Sequence, residues 1–229
     1  MKKVQLVQLN NSYGNQVYLP YSIGILTSYA MKIEKIKQNF LFQDFIFLRE
    51  SVDKMIKKMG DVDILGVSCY VWNWELSVKL AEAAKKKNKD CLVVFGGPHV
   101  PNNDKDFFKK YPFIDILCHG EGEVTFSEIF KRIADGLELK NIAGTTINKD
   151  NGQIIKELPR DRIKDLDTIP SPYLSGVFDT LLKNEKYKWM VTWETNRGCP
   201  FKCTFCDWGS AIATKVRKFA EERLFEEIS

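Results

Sequence analysis

The sequence predicts an α/β protein: a doubly wound parallel sheet over residues 1 to about 150, then a linker and the beginning of a second domain. Three observations predict it. Short, nearly unbroken apolar runs at 4–9, 63–71 and 91–95 alternate with stretches of helical spacing. Strands that are apolar at almost every position belong in a parallel sheet covered on both faces. Glycine and proline follow the strands at once, at Gly96-Gly97-Pro98 and at His119-Gly120-Glu121-Gly122-Glu123, where the chain must turn from strand to helix.

Residues 4–9 (VQLVQL) are the first strand. Residues 20–35 have helical spacing, with Ile23, Leu26, Thr27, Ala30 and Ile33 on one side. Residues 40–48 are rich in Phe and Ile, but Gln43-Asp44 breaks the run and leaves its type open. Ser51 is a fitting N-cap for a helix over 52–59, and Gly60 a fitting stop. Residues 63–71 (DILGVSCYV) are a buried strand. Residues 73–87 are an amphipathic helix, with Lys85-Lys86-Lys87 at the negative end of its dipole. A strand over 91–95, a short helix over 103–111, a strand over 114–118, a helix over 124–136 and a strand over 142–147 follow. Asn151-Gly152 suits a hairpin turn into 153–157. Residues 151–187 are a linker, with Pro159, Pro170 and Pro172 among polar residues and a short helix at 176–182. Residues 188–194 (KWMVTWE) start the second domain as a strand, and 213–228 form a charged helix.

Composition excludes several classes. At 44% hydrophobic and 28% charged residues, with 14 Gly and 8 Pro, the chain is neither disordered nor collagen-like. Its apolar runs fall far short of the ~20 residues of a membrane span. A net charge of +4 gives no footprint for nucleic acid. The N-terminus lacks the cleavage pattern of a secretory signal. Six cysteines in such a chain read as reduced thiols, so the expected location is cytoplasmic, with no membrane or nucleic-acid partner.

The cysteines are of two kinds. Cys69, Cys91 and Cys118 lie singly in or beside apolar runs and read as small buried hydrophobes. Cys199, Cys203 and Cys206 have the spacing CxxxCxxC, close enough to converge on one soft metal centre. Three thiolates leave a coordination position open, whereas closed structural zinc wants four ligands. A zinc site completed elsewhere in the chain, or coincidence, are the other readings. The triad follows the strand at 188–194, on a loop at a strand's carboxyl end, where α/β barrels gather their sites.

Candidate contacts also lie at the ends of the N-terminal strands. Gly96-Gly97 permits close backbone approach of a ligand, or simply a tight turn. Ser68, Tyr70 and Trp72 could line a flat ligand, or be ordinary packing. Pro98 and His99 lie on the loop after the glycines. Gly120, Glu121 and Glu123 open a helix, where acidic residues are favoured by the dipole alone. The lysine runs at 57–58, 85–87 and 109–110 read as solvated faces.

The segment RGCPFKCTFC at 197–206, with the aromatic Phe205 before the last cysteine, resembles the radical S-adenosylmethionine (SAM) superfamily. The resemblance implies a [4Fe–4S] cluster on Cys199, Cys203 and Cys206, with Phe205 as a cofactor contact. The cluster's fourth iron would bind SAM and cleave it reductively to a 5′-deoxyadenosyl radical. An electron would come from a protein such as a flavodoxin or ferredoxin. Residues 188–229 would then be the first βα unit of a radical SAM barrel. The N-terminal part is similar to the cobalamin-binding domain that precedes this barrel in many such enzymes. The residues that carry this are 19–26 (LPYSIGIL), Gly96-Gly97-Pro98-His99, His119–Glu123 and 163–172 (IKDLDTIPSP). This resemblance implies bound cobalamin, with Ser68, Tyr70, Trp72, Gly96, Gly97, Pro98, His99, Gly120 and Glu121 as cofactor contacts, and methyl transfer or a radical rearrangement as the reaction. One departure stands out. Many cobalamin proteins carry D-x-H-x-x-G after the first strand, whereas this chain has Asn10-Asn11-Ser12-Tyr13-Gly14-Asn15, so no histidine from that stretch would ligate cobalt. A full barrel needs roughly six βα units of about 30 residues each, and Ser229 comes soon after Cys206. The expectation is a fragment, a truncated product or one part of a split enzyme, inactive alone. A cofactor-binding module without catalysis, or a zinc-binding redox regulator, are the alternatives.

Overall fold

The computed structural model describes residues 1–102, 106–149, 152–206 and 214–229. Its elements are β1 (Lys2–Asn10), β2 (Ser12–Tyr13), β3 (Gln16–Tyr18), α1 (Tyr21–Met31), α2 (Glu34–Asn39), β4 (Phe40–Phe42), β5 (Ile46–Leu48), α3 (Val52–Met59), β6 (Ile64–Ser68), α4 (Trp74–Lys87), β7 (Leu92–Gly96), α5 (Phe107–Lys110), β8 (Ile116–Cys118), α6 (Gly122–Ala134), β9 (Thr145–Asn148), β10 (Ile154–Lys156), α7 (Asp179–Leu182), β11 (Lys188–Met190), β12 (Asn196–Arg197), β13 (Arg217–Lys218) and α8 (Glu221–Ile228).

The main sheet runs β10-β9-β8-β7-β6-β1-β4, with β5 also paired to β1. Its body, from β4 to β8, is parallel. The side chains divide by face. Leu65, Val67, Val93 and Phe95 join Met55, Leu80 and Phe107 of α3, α4 and α5. Val4, Leu6, Ile64 and Val94 join Ile23, Phe126 and Phe130 of α1 and α6. Helices therefore cover both faces, as the sequence predicts.

Several expectations need correction. The sheet is not parallel throughout, because β9 pairs antiparallel to β8, whereas the antiparallel pair of β9 and β10 is the hairpin the sequence predicts. After α6 the chain climbs back to the carboxyl edge, where His119 N–H donates to Gly144 O at 2.8 Å, and β9 starts from there. The helix expected over 20–35 divides at Ile33, whose extended backbone separates α1 from α2. Residues 40–48 form two short strands, and the break between them is stabilised by the buried Gln5, whose amide donates to Asp44 O at 2.8 Å. The strand expected at 63–71 is confined to β6, and that at 188–194 to β11. The helix expected over 213–228 is reduced to α8, because Arg217-Lys218 is drawn into a ladder with Asn196-Arg197. Asn103, Asn151 and Ala213, which bound expected elements, lie outside the described residues. The cap at Ser51, which accepts from Lys54 N–H, and the stop at Gly60, with φ +63°, form as predicted.

Downstream of β10 the chain packs back on α1. Leu166, Ile169 and Phe219 bury with Ile25. Phe178 is fully buried on Gly24, where a Cβ would stand 2.2 Å from its Cζ. β11 then pairs in parallel with β3, so residues 188–190 share a three-stranded sheet with the hairpin of residues 12–18. Among the described residues no helix is long and apolar enough to cross a membrane.

Candidate functional site

From β1 the chain crosses to β4 on one side and later to β6 on the other. The loops after β1 and β6 therefore diverge at the carboxyl edge, at the switch point where open α/β sheets bind ligands. Tyr70 and Trp72 stand there with their rings stacked, centroids 4.5 Å apart and planes 11° apart. Trp72 is 49% exposed, so the pair offers a flat apolar face to solvent. Ser68 is buried at its foot. The Tyr70 hydroxyl lies 2.5 Å from Ser22 Oγ on α1.

Two residues that the sequence reading passed over hold this loop. Asn73 is fully buried. Its Oδ1 accepts from Tyr70 N–H at 2.8 Å, and its Nδ2 donates to Ser68 O and Leu9 O at 3.0 and 3.3 Å. Arg49 donates to Trp72 O at 2.6 Å and to Asn11 Oδ1 at 3.1 Å. An asparagine before a helix reads as an N-cap, yet this side chain caps nothing and ties two strand ends together instead.

The next strand end lies beside it. Cys69 N–H donates to Gly96 O at 2.7 Å, and His99 N–H to Cys69 O at 3.2 Å. Gly97 has φ +99°, and a Cβ there would meet Cys69 O at 2.6 Å. Only glycine lets these two loops lie flush. Gly97, Pro98 and His99 are exposed, and the His99 ring meets Trp74 edge-on at 5.2 Å. Ser68, Tyr70, Trp72, Gly96, Gly97, Pro98 and His99 thus form one continuous rim. Gly120, exposed with φ +74°, follows at the end of β8. The stretch 10–15 makes the β2–β3 hairpin, and Asn10 is buried, donating to Tyr18 O at 3.2 Å.

Glu121 is engaged by the chain itself. It accepts from Ile163 N–H at 2.8 Å and from Arg217 Nη1 and Nη2 at 3.0 and 2.6 Å. Burial alone would raise its carboxyl, but these hydrogen bonds and the charges of Arg217 and Arg197 outweigh it and hold it below the usual carboxylate range. Arg197 donates to Glu123 at 2.6 Å and to Glu194 at 3.1 and 2.9 Å. Burial would lower the Arg197 guanidinium, but Glu123 and Glu194 outweigh it and raise it. Tyr21 O–H donates to Glu194 at 3.2 Å, and burial followed by Glu194 pushes its phenol up. Glu123 Oε2 is buried without a partner among the described residues.

The three clustered cysteines follow Arg197 directly. All six cysteines are free. Cys69, Cys91 and Cys118 are buried, as expected, and burial pushes the Cys91 and Cys118 thiols up to about 11 and about 12. Cys199 and Cys206 are half-buried, and Cys203 is exposed. Cys199 O accepts from Thr214 N–H at 2.7 Å. Cys206 N–H donates to Cys203 O at 3.1 Å, closing a tight turn. Phe205 is 90% exposed. Among the described residues no three Cys, His, Asp or Glu side chains are gathered closely enough to hold a metal ion. The donor set is therefore present on one loop, but its sulfurs are not drawn together.

Comparison with known proteins bears on both regions. Residues 34–130 match the B12 binding domain family. The chain is 40% identical over 235 residues to the cobalamin-dependent radical SAM methyltransferase TokK of Streptomyces tokunonensis, a match spanning 99% of this chain and 33% of that protein. It is 39% identical over 215 residues to 2-(S-pantetheinyl)-carbapenam-3-carboxylate methyltransferase of Streptantibioticus cattleyicolor, across 92% of this chain and 31% of that one. The chain thus spans about a third of the length of these relatives. Its fold matches the cobalamin-dependent SAM radical enzyme OxsB, in a structure with aqua-cobalamin and SAM bound, at a TM-score of 0.74 and 22% identity, over 100% of this chain and 31% of that one.

Proposed function

Because this chain belongs to the radical SAM proteins that carry an N-terminal B12-binding domain, we propose that it is the cofactor-holding N-terminal part of a cobalamin-dependent radical SAM methyltransferase. The observation that carries this is one edge. The exposed rim of the B12-binding sheet and the base of the RGCPFKCTFC loop meet at the start of α6, through Glu121 and Glu123.

The residues present fit both groups. An open, stacked aromatic pair beside a glycine turn suits a flat macrocycle. Tyr70 and Trp72 would lie against it, with Ser68, Gly96, Gly97, Pro98, His99 and Gly120 around it. The hairpin at 12–18 offers no histidine, so the chain would hold cobalamin without a lower ligand from that stretch. Three free thiols on one loop suit a [4Fe–4S] cluster with one iron left for SAM. Cys199, Cys203 and Cys206 would hold it, with Phe205 beside them. When bound, these groups supply an electron to the SAM sulfonium and a cobalt centre able to carry a methyl group. The protein's share is placement: Asn73 and Arg49 fix the aromatic pair, and the buried carboxylates fix the loop base. A flavodoxin- or ferredoxin-like protein would deliver the electron. The acceptor of the methyl group, or of a radical rearrangement, is set by the remainder of such an enzyme.

Anaerobic reconstitution with iron and sulfide tests the cluster. A brown protein absorbing at roughly 400 nm is expected, and a colourless protein holding one zinc would overturn that half. Titration with hydroxocobalamin tests the rim. Pink colour retained after desalting is expected, and its loss would remove cobalamin.

A further inference from the structure

We propose that Arg197 and Arg217 are positioning residues that fix the cysteine loop to the carboxyl edge of the B12-binding sheet. The inference rests on Cys199, Cys203 and Cys206 being the cluster ligands, as proposed above. The loop leaves the molecule through β12 and returns through β13, and Arg197 stands directly opposite Arg217 in that ladder. Two guanidiniums side by side repel unless carboxylates separate them. Three carboxylates do so. Glu121 takes Arg217 at 2.6 Å and lies 3.9 Å from Arg197, while Glu123 and Glu194 take Arg197 at 2.6 and 2.9 Å. Both arginine side chains are nearly buried, and Glu123 is 3% exposed. Charges so placed are tolerated only in one paired arrangement. Arg217 also donates to Ile163 O at 2.5 Å, which ties the same point to the segment after the sheet.

Beyond the ladder the loop narrows. At Gly198, φ is +102° and a Cβ would stand 2.5 Å from Lys215 O, so the two sides of the loop touch. Cys199, next in sequence, is held by Thr214 on the other side. Cys203 is exposed, and the three thiols are not gathered. The arrangement anchors the Cys199 backbone on both sides. Glu121 and Glu123 begin the helix that follows β8, so the anchored Cys199 backbone is set at the same edge as the glycine and aromatic rim. The arginine pair thereby determines where a cluster stands relative to a corrinoid on that rim.

The test uses the whole chain, wild type and as Arg197→Gln, Arg217→Gln and Arg197→Lys, reconstituted anaerobically with iron and sulfide. Both glutamine variants are expected to lose iron to EDTA about tenfold faster than wild type, the scale of outer-shell changes at metal sites, with an altered EPR line for the reduced cluster. Arg197→Lys should lie between, with the wild-type line. Hydroxocobalamin retention should be unchanged in all, which separates loop placement from general damage. Wild-type rates and spectra in both glutamine variants would overturn the inference. Should Arg197→Gln fail to fold, the paired replacement Arg197→Met with Glu123→Met removes the buried charges together and must show the same faster loss. Should wild type assemble no cluster, the ligand assignment falls. The positioning is then read in the metal-free chain: faster hydrogen exchange at residues 198–206 in Arg197→Gln supports it, and unchanged exchange sinks it.

Discussion

The two candidate sites of this chain are built in opposite ways. The rim at the sheet edge is finished by the fold: Asn73 bridges two strands, Gly97 presses on Cys69, and Tyr70 is pinned to Ser22. The cysteine loop is fastened at its base, and among the described residues its thiols are not drawn together. A macrocycle needs a surface already shaped, because the protein contributes shape and exclusion of water. A metal cluster can draw its own ligands together, because thiolate–metal bonds are strong enough to order a loop. The contrast is between a site made by packing and a site made by its ligand.

The largest expected effect separates the two outright. Cys203→Ser should abolish iron retention after reconstitution and leave urea unfolding within about 0.5 kcal/mol of wild type, as for other exposed positions. A stability loss much greater than that would mean the loop is as much a part of the core as the rim. Next in size is Gly97→Ala. Forcing a side chain into φ +99° costs about 1–3 kcal/mol, and the contact with Cys69 O adds to it. Urea unfolding should register the loss and hydroxocobalamin retention should fall, with iron retention intact. If Gly97→Ala keeps wild-type stability, the rim is not prebuilt and the contrast fails.

Smaller effects sharpen the boundary between the sites. Glu121 has its folded pKa below the ordinary value of 4.5. Its ion pairing therefore stabilises the fold above that value and is lost as pH falls through the lower folded value. Glu121→Gln should remove this acid-side loss from a thermal-melt series between pH 3 and 6, flattening the curve. His119, half-buried and 2.9 Å from Thr146 Oγ1, is held below 6.5 by burial and by Lys156. The unfolded chain takes up that proton first, so stability falls as pH drops below 6.5. His119→Asn should lessen the decline between pH 7 and 5. An identical slope in the variant would show that the histidine carries no linkage.

What the sequence revealed, and what it hid, follows the range of the interactions. The sheet body was readable because its signals are local: the apolar runs read at 63–71 and 91–95, which form β6 and β7, the Ser51 cap and the Gly60 stop each sit within or beside one element. The antiparallel pairing of β9 with β8 was not, because the return of the chain to Gly144 is fixed by His119, far away in sequence. The strand at Arg217-Lys218 has the same cause, since a short stretch of helical character yields when a distant partner claims its backbone, whereas the split at Ile33 is local, its N–H bonded to Ala30 O and its O to Ile36 and Lys37 N–H. In the candidate site, cysteine spacing and glycine turns could be read directly. The roles of Asn73, Arg197 and Arg217 could not, because each depends on partners brought near only by folding. Glu121 shows a further limit of local signals. Its carboxylate is paired with Arg217, a partner that no local pattern in the sequence reveals.

The pairing of β11 with β3 has a consequence for biosynthesis. Gln16–Tyr18 emerges from the ribosome early, and Lys188–Met190, the strand that completes its sheet, late. At about 5–20 residues per second, the early hairpin waits roughly ten to thirty seconds with an open edge. During that interval a nascent chain could recruit the wrong strand, from itself or from a neighbour on the same polysome. The exposed Tyr18 lies on that edge, which makes the hairpin the natural place to look for chaperone engagement during translation.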